Sequence, residues 1–337
     1  MSELRRLLLD TIGHVADYRE TVSARPVFPT APEGPSLEAL GALPDGPTPP
    51  AEVIARLRRA AEPLCVSTTG PRYFGFVVGG ALDAATVADV LAIGWDQTPF
   101  NAVTSPAGTL VENVAGEWLK DVLGLPATAS FGFVTGGQGG NNVGLAAARH
   151  HVLSQAGWDV ERDGPIGAPR VRVVANGERH ATIDRALRLL GLGTAVLEPV
   201  ATDSQGAIVV DDLERALAAG PAAPTIVCLQ AGNVNTGAFD DFARAIPAAR
   251  SHEAWVHVDG AFGLWAAASP SLRHLVRGVG AADSWGVDGH KWLNVPYDCG
   301  YAFCAHPDAH LASMAFTAAY LTGHDQSGPR APSDYVP

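Results

Sequence analysis

The 337-residue chain has only four cysteines, and Cys65, Cys228, Cys299 and Cys304 form neither a CxxC pair nor a zinc spacing. They read as reduced thiols of a cytoplasmic protein. Charge is also scarce. Charged residues make up 17% against 47% hydrophobic, which excludes a mostly disordered chain and implies a sizeable packed core. The charge present is acidic, a formal net −12, and argues against nucleic acid or an anionic membrane as the main partner. No stretch approaches the length of a membrane span, and the apolar run in MSELRRLLLDTIGHVADYRE is too short for a signal peptide. Absent too are the P-loop, the G-x-S-x-G nucleophile elbow and H-E-x-x-H. There is no internal repeat and no coiled-coil heptad pattern.

Residues 2 to 18 have the spacing of an amphipathic helix, with Leu4, Leu7, Leu8, Ile12 and Val15 on one face. Its partner is either its own domain or a second subunit. Residues 25 to 50 hold eight prolines and read as an extended arm. A helix is predicted near 51–64, opened by Pro49 and Pro50. Tyr73, Phe74 and Phe76 in PRYFGFVVGG either line a pocket or pack a core. Two further helices are predicted, over 83–95 and 107–123.

From residue 131 short apolar strands alternate with helices. Strands are predicted at 131–134, 171–175, 195–200, 225–230, 255–259, 284–287 and 301–305. Helices are predicted at 140–154, 180–190, 211–219, 240–251 and 270–276, with Asp211 and Asp240 as N-caps. Such alternation means an α/β fold with a mostly parallel sheet flanked by helices, preceded by a helical and extended N-terminal arm.

Four features carry chemistry. VTGGQGGNN (134–142) joins a strand to a helix, so its bare backbone N–H groups suit a phosphate. It is not the dinucleotide fingerprint, because Asn142 stands where the third glycine belongs. A tight turn that merely needs glycine explains it equally well. Asp259 ends the strand WVHVD, the place of a ligand-facing residue or of a helix cap. His180 stands at a strand-to-helix junction, able to stack on a flat ring or simply to cap a helix. Lys291, in DSWGVDGHKWLNVPYDCGYAFC, either snorkels past Trp292 or supplies an amine for a Schiff base. HPDAH (306–310) lacks the glutamate of a metal motif, and Arg149, His150 and His151 read as a solvated helix end. Together the four features match pyridoxal 5'-phosphate, which has a phosphate, an aromatic ring, a ring nitrogen and an aldehyde.

RYFGFVVGG, VTGGQGGN, QAGNVNTGAFDD, VHVDGAFG and DGHKWLNVPYDCG give the chain a wider likeness. It resembles the group II pyridoxal-phosphate-dependent amino-acid decarboxylases, the family of aromatic-amino-acid, glutamate and histidine decarboxylases. The resemblance runs from about residue 50 to the end. It implies the type I pyridoxal-phosphate-dependent transferase fold, with an arm over 1–70, a cofactor-binding α/β domain over 71–312 and a mobile-loop region over 313–337. It implies that Lys291 bonds the cofactor, His290 contacts its phosphate, Asp259 its ring nitrogen and Ala261 its ring. His180 stacks on the other face. Gly137 and Gln138 receive the phosphate, and Asn233 lies close by. Tyr320 matches the loop tyrosine that returns a proton.

The implied activity is decarboxylation of a small-molecule L-amino acid to an amine and carbon dioxide, by a cytoplasmic homodimer with no metal. Carbon–carbon lyase chemistry, oxidative decarboxylation to an aldehyde, and a non-catalytic homologue are the alternatives. Phe74, Trp95 and Phe100 suit an aromatic side chain or core packing equally. There are departures. Gln138, Gly139, Gly140 and Asn141 replace the family's Ser/Thr-Glu-Ala-Asn. Asp288 replaces an asparagine, and its charge is expected to point away from a phosphate. The family continues into a C-terminal small domain, whereas this chain stops at DYVP and is expected to be a fragment or a truncation.

Overall fold

A computed structural model describes residues 1–29, 41–316 and 330–337. They divide into two compact units, Met1–Gly80 and Ala81–Pro337. The smaller unit holds α1 (Glu3–Thr21) and α2 (Pro50–Ala61). Ser2 caps α1 by accepting the Arg5 N–H, and Pro50 takes the first helical position of α2, where no N–H is needed. Polar contacts hold the two together: Glu62, just past α2, pairs with His14 and with Arg25. The apolar face expected on α1 exists, but α1 buries none of its residues among those described. Phe74 and Phe76 are likewise about nine-tenths exposed, at 91% and 89%.

The larger unit begins with α3 (Asp83–Trp95) and α4 (Pro106–Leu123), followed by β1 (Ser130–Val134), α5 (Gly137–Gln155), α6 (Val160–Asp163) and β2 (Arg172–Asn176). Next come α7 (Ala181–Leu189), β3 (Leu197–Val200), α8 (Val210–Ala219), β4 (Thr225–Gln230), α9 (Phe242–Arg250) and β5 (Trp255–Asp259). β6 (Ser284–Asp288), β7 (Gly300–Cys304) and α10 (Pro307–Met314) complete it. The strands form one sheet in the order β1-β7-β6-β5-β4-β2-β3. β2 to β6 are mutually parallel, and β7 alone runs against both its neighbours, β1 and β6.

Period-two alternation builds a core on each face of this sheet. Val174, Val227, Val256, Val258, Trp285 and Phe303 face one side, against α8 and α9. Val173, Ala175, Ile226, Cys228 and Cys304 face the other, against α5 and α7. Each buried valine, isoleucine or phenylalanine among them contributes on the order of 2 kcal/mol of burial.

All seven expected strands are present, two with the boundaries read from the sequence. Several finer expectations fail. The helix expected at 270–276 is only a 3-10 turn, Arg273–Val276. Asp211 lies inside the first turn of α8, which has Val209 at its cap. Asp241, not Asp240, caps α9. Asp240 is buried and accepts from Asn176, the Ile208 N–H and the Gln230 N–H, tying the ends of β2 and β4 to the loop before α8. Burial pushes its carboxyl up to about 6. The cluster at 149–151 is not a solvated end: Arg149 donates to the Leu190 carbonyl, and the His151 ring lies 5.0 Å from that of Trp255.

Candidate active site

In a parallel sheet, residues just past the strands' carboxyl ends gather along one edge. β1 delivers the Gly136–Gly137 turn to this edge, β2 the segment leading to His180, β5 Asp259, and β6 the run Asp288 to Lys291. Lys291 is held by the aspartate three residues before it, with Nζ 2.8 Å from Asp288 Oδ2. Asp288 is nearly fully buried. Its other oxygen takes the Gly137 N–H, the first of α5, and lies 3.4 Å from His290 Nε2. This overturns the expectation that Asp288 points away from the glycine turn. The partial positive charge of a helix N-terminus and two basic side chains draw the carboxylate in.

His290 accepts the Cys299 N–H at Nδ1, 3.1 Å, which leaves its ring proton on Nε2, toward Asp288. Its ring stacks on Tyr297, 4.2 Å between centroids. Burial lowers its pKa, against an opposing pull from Asp288.

Asp259 is nearly buried. Oδ1 accepts the Ala261 N–H at 3.2 Å, and Oδ2 accepts from Asn141 Nδ2 at 3.0 Å and from Thr182 Oγ1 at 3.5 Å. His180 caps α7 with an exposed ring, its Nδ1 taking the Thr182 N–H. Thr182 therefore links His180 to Asp259. Gln138 donates to the Thr182 carbonyl at 3.3 Å. The polar atoms of Asn233 hold a loop: its amide donates to the Glu178 carbonyl and accepts from the Asn235 and Thr236 N–H groups. Tyr320 lies outside the described residues. Thr182 and the buried His257 escaped the sequence reading. Only strand alternation, which puts His257 on the same face as Asp259, could have pointed to the second.

Against known proteins, residues 38–331 match the model of the pyridoxal-dependent decarboxylase conserved domain. The chain belongs to the pyridoxal-dependent decarboxylase family. Tryptophan decarboxylase 1 of Oryza sativa subsp. japonica is 29% identical over 96% of this chain and 65% of its own length. Aromatic-L-amino-acid decarboxylase of Bacillus atrophaeus is 28% identical over 88% and 61%. Phenylacetaldehyde synthase of a Rosa hybrid cultivar is 26% identical over 92% and 62%. The chain thus spans less than two thirds of the length of these relatives. The crystal structure of Oryza sativa TDC with PLP and tryptamine superposes with a TM-score of 0.89 at 27% identity, covering 99% of this chain and 70% of that one. The fold is the type I pyridoxal-phosphate-dependent fold that the family shares.

The residues at the carboxyl edge fit pyridoxal phosphate. The glycine turn is a cradle that side chains would fill: a Cβ on Gly137 would come 2.8 Å from Asp288 Oδ2, and one on Gly136 3.0 Å from His290 Cε1. Gly300 passes so close behind that its Cβ would sit 2.6 Å from Gly136 Cα. An anionic oxygen, that of Asp288, already accepts the Gly137 N–H, so this helix end does receive anions. Amine, imidazole and carboxylate stand within the same edge.

Proposed function

We propose that the protein is a pyridoxal-phosphate-dependent decarboxylase that converts an L-amino acid to the amine and carbon dioxide. The observation that carries this reading is the gathering of Lys291, His290 and Asp288 on the Gly136–Gly137 turn in a chain of this family. Lys291 would bind the cofactor through its amine. Gly137, Gln138 and His290 would hold its phosphate, and Asp259 its ring nitrogen. Ala261 and His180 would lie against the ring, with Asn233 nearby. When bound, the cofactor supplies an electron sink for the charge left on the α-carbon as carbon dioxide departs.

The chain's own groups have matching work. Asp259, held by three donors, keeps a fixed carboxylate to face a positively charged ring nitrogen. His180 is anchored through Nδ1, which lies 2.9 Å from the Thr182 hydroxyl and 3.3 Å from its N–H, and the residue stays exposed. Asp288 orients the Lys291 amine. In the family resemblance Tyr320 returns a proton to the α-carbon. The names of the tryptophan and aromatic-amino-acid decarboxylases make aromatic amino acids the first substrates to test.

Purified protein incubated with pyridoxal phosphate should show the absorbance of the lysine–cofactor bond and release carbon dioxide from an amino acid. Lys291→Ala should abolish the first and reduce the second by about a thousandfold or more. An unchanged spectrum in the variant would sink the assignment. The relative named phenylacetaldehyde synthase favours one second reading, so the product should be identified as amine or aldehyde.

A cytoplasmic homodimer is part of the proposal. α3 exposes Val87, Leu91, Ile93 and Trp95, and α4 exposes Leu110, Val111 and Trp118, more apolar surface than an isolated subunit usually leaves in water. The four thiols are free, as a reducing compartment keeps them. Light scattering decides the first point, and a monomeric mass overturns it. A fusion of the protein that localised outside the cytoplasm would overturn the second.

A further inference from the structure

The inference concerns how Asp259 is held, and it rests on the functional reading for the group that Asp259 faces. β5 turns Val256 and Val258 to one core and Trp255, His257 and Asp259 toward α5. His257 is 0% exposed, yet both ring nitrogens are paired. Nδ1 lies 2.9 Å from Ser284 Oγ, and Nε2 lies 3.0 Å from Asn141 Oδ1. Ser284 Oγ accepts from Trp255 Nε1 at 3.0 Å. Asn141 Nδ2 donates to Asp259 Oδ2 at 3.0 Å and to Thr182 Oγ1 at 3.0 Å.

An indole N–H only donates, and a carboxylate only accepts. Asp259 takes an Asn141 amide hydrogen, so Asn141 turns Oδ1 to His257, and the ring proton sits on Nε2. The neutral ring then accepts the Ser284 hydroxyl at Nδ1, the shorter of that hydroxyl's two contacts, the other being the Gly144 carbonyl at 3.4 Å, while Ser284 Oγ receives the indole proton. Burial pushes the imidazole pKa down to about 3, in keeping with a neutral ring. The packing is cut to fit: a Cβ on Gly144 would come 2.6 Å from His257 Cε1, and one on Gly286 2.5 Å from Asn141 Oδ1. An apolar residue would fill the place of His257 without needing partners.

We propose that Asn141, His257 and Ser284 are positioning residues, a one-way hydrogen-bond chain from Trp255 that fixes the Asp259 carboxylate for the cofactor's ring nitrogen.

Nitrogen spectra of histidine-labelled protein without cofactor should show His257 as a neutral Nε2–H ring that does not titrate between about pH 5 and 8. A titrating ring, or the Nδ1–H form, overturns the proposal. His257→Leu should weaken equilibrium binding of pyridoxal phosphate about tenfold, whereas His257→Gln, which can still donate to Asn141, should stay within about threefold. Equal loss in both, or none in the leucine variant, overturns it. Asn141→Asp serves if His257→Leu does not fold. It should weaken binding about tenfold near pH 8 and less as the pH falls and the new carboxyl regains a proton; a pH-independent loss, or none, overturns the proposal. Wild-type protein that binds no cofactor sinks the functional reading and this one with it. Wild-type binding with unaffected variants sinks only this one.

Discussion

At the amino edge of the sheet Arg172 reaches Glu198 through two hydrogen bonds, of 2.9 and 2.6 Å, and His306 lies 2.8 Å from Asp283. The rings of His151, Trp255 and His306 lie within about 5 Å of one another beside a cleft of about 920 Å³. At the carboxyl edge one carboxylate, Asp288, meets a helix N–H, an imidazole and an amine supplied by two separate segments. Both edges carry acids, bases and histidines. At the amino edge the Arg172–Glu198 and His306–Asp283 pairs are each closed between two neighbouring elements, beside a cleft on which no set of donors converges on one anion among the described contacts. At the carboxyl edge several donors converge on one anion, and another anion can compete for them. Convergence of donors therefore marks the site better than cavity size does.

If that contrast is right, disturbing the amino edge should change stability and leave cofactor binding alone. The largest effect is expected at His310, which is fully buried on α10. Its Nδ1 lies 2.8 Å from Ser130 Oγ, at the start of β1, and its Nε2 lies 2.9 Å from the Tyr335 carbonyl. Burial lowers its pKa from 6.5 to about 4. The unfolded state then binds the extra proton between these two values. Stability is therefore complete above about pH 6.5 and falls as the pH drops toward about 4, by up to about 3 kcal/mol. His310→Gln keeps a donor for the Tyr335 carbonyl and removes the titration. Denaturant melts from about pH 7 to 4 should be flatter by about that amount, with cofactor affinity at about pH 7 unchanged. An equal acid-side loss in the variant would show that His310 is not its source.

The same contrast explains what could be read from the sequence. Strand positions and their mostly parallel sheet were legible because they depend on alternation, and the candidate site was legible as far as chain-local motifs such as VTGGQGGNN, VHVDGAFG and DGHKW mark strand ends. The motifs mark Lys291 and Asp259, and a strand-to-helix junction marks His180, while the sheet brings their segments to one edge. The direction of the Asp288 side chain was not legible. It depends on Gly137, 151 positions away in sequence, meeting β6 across the sheet. The same holds for His151, which read as solvated until β5 set Trp255 beside it, and for Asp240, whose donors come from the ends of β2 and β4 and the loop before α8. The chain from Trp255 to Asp259 needs α5, β5 and β6 in register at once, which no local pattern encodes.

A smaller effect, and a direct exchange between the two edges, is expected from a pair of glycine substitutions. At Gly220, on the amino edge, a new Cβ would overlap the Arg172 guanidinium. Gly220→Ala should push Arg172 away from Glu198 and the Ala216 carbonyl and cost about 2 kcal/mol of stability, with pyridoxal phosphate bound as in wild type. At Gly137 the new Cβ would lie 2.8 Å from Asp288 Oδ2. Alanine suits the first turn of a helix, so the backbone tolerates the change. The Asp288 side chain, however, has to give way, and the seat it occupies is the one assigned to the phosphate. Gly137→Ala should therefore leave the melting temperature of the cofactor-free protein nearly unchanged and weaken cofactor binding by about tenfold, the equivalent of about 1.4 kcal/mol. Thermal melts and equilibrium titrations on both variants read the two effects separately. If Gly220→Ala lost affinity, or Gly137→Ala lost stability and kept its affinity, the division of labour between the two edges would be wrong.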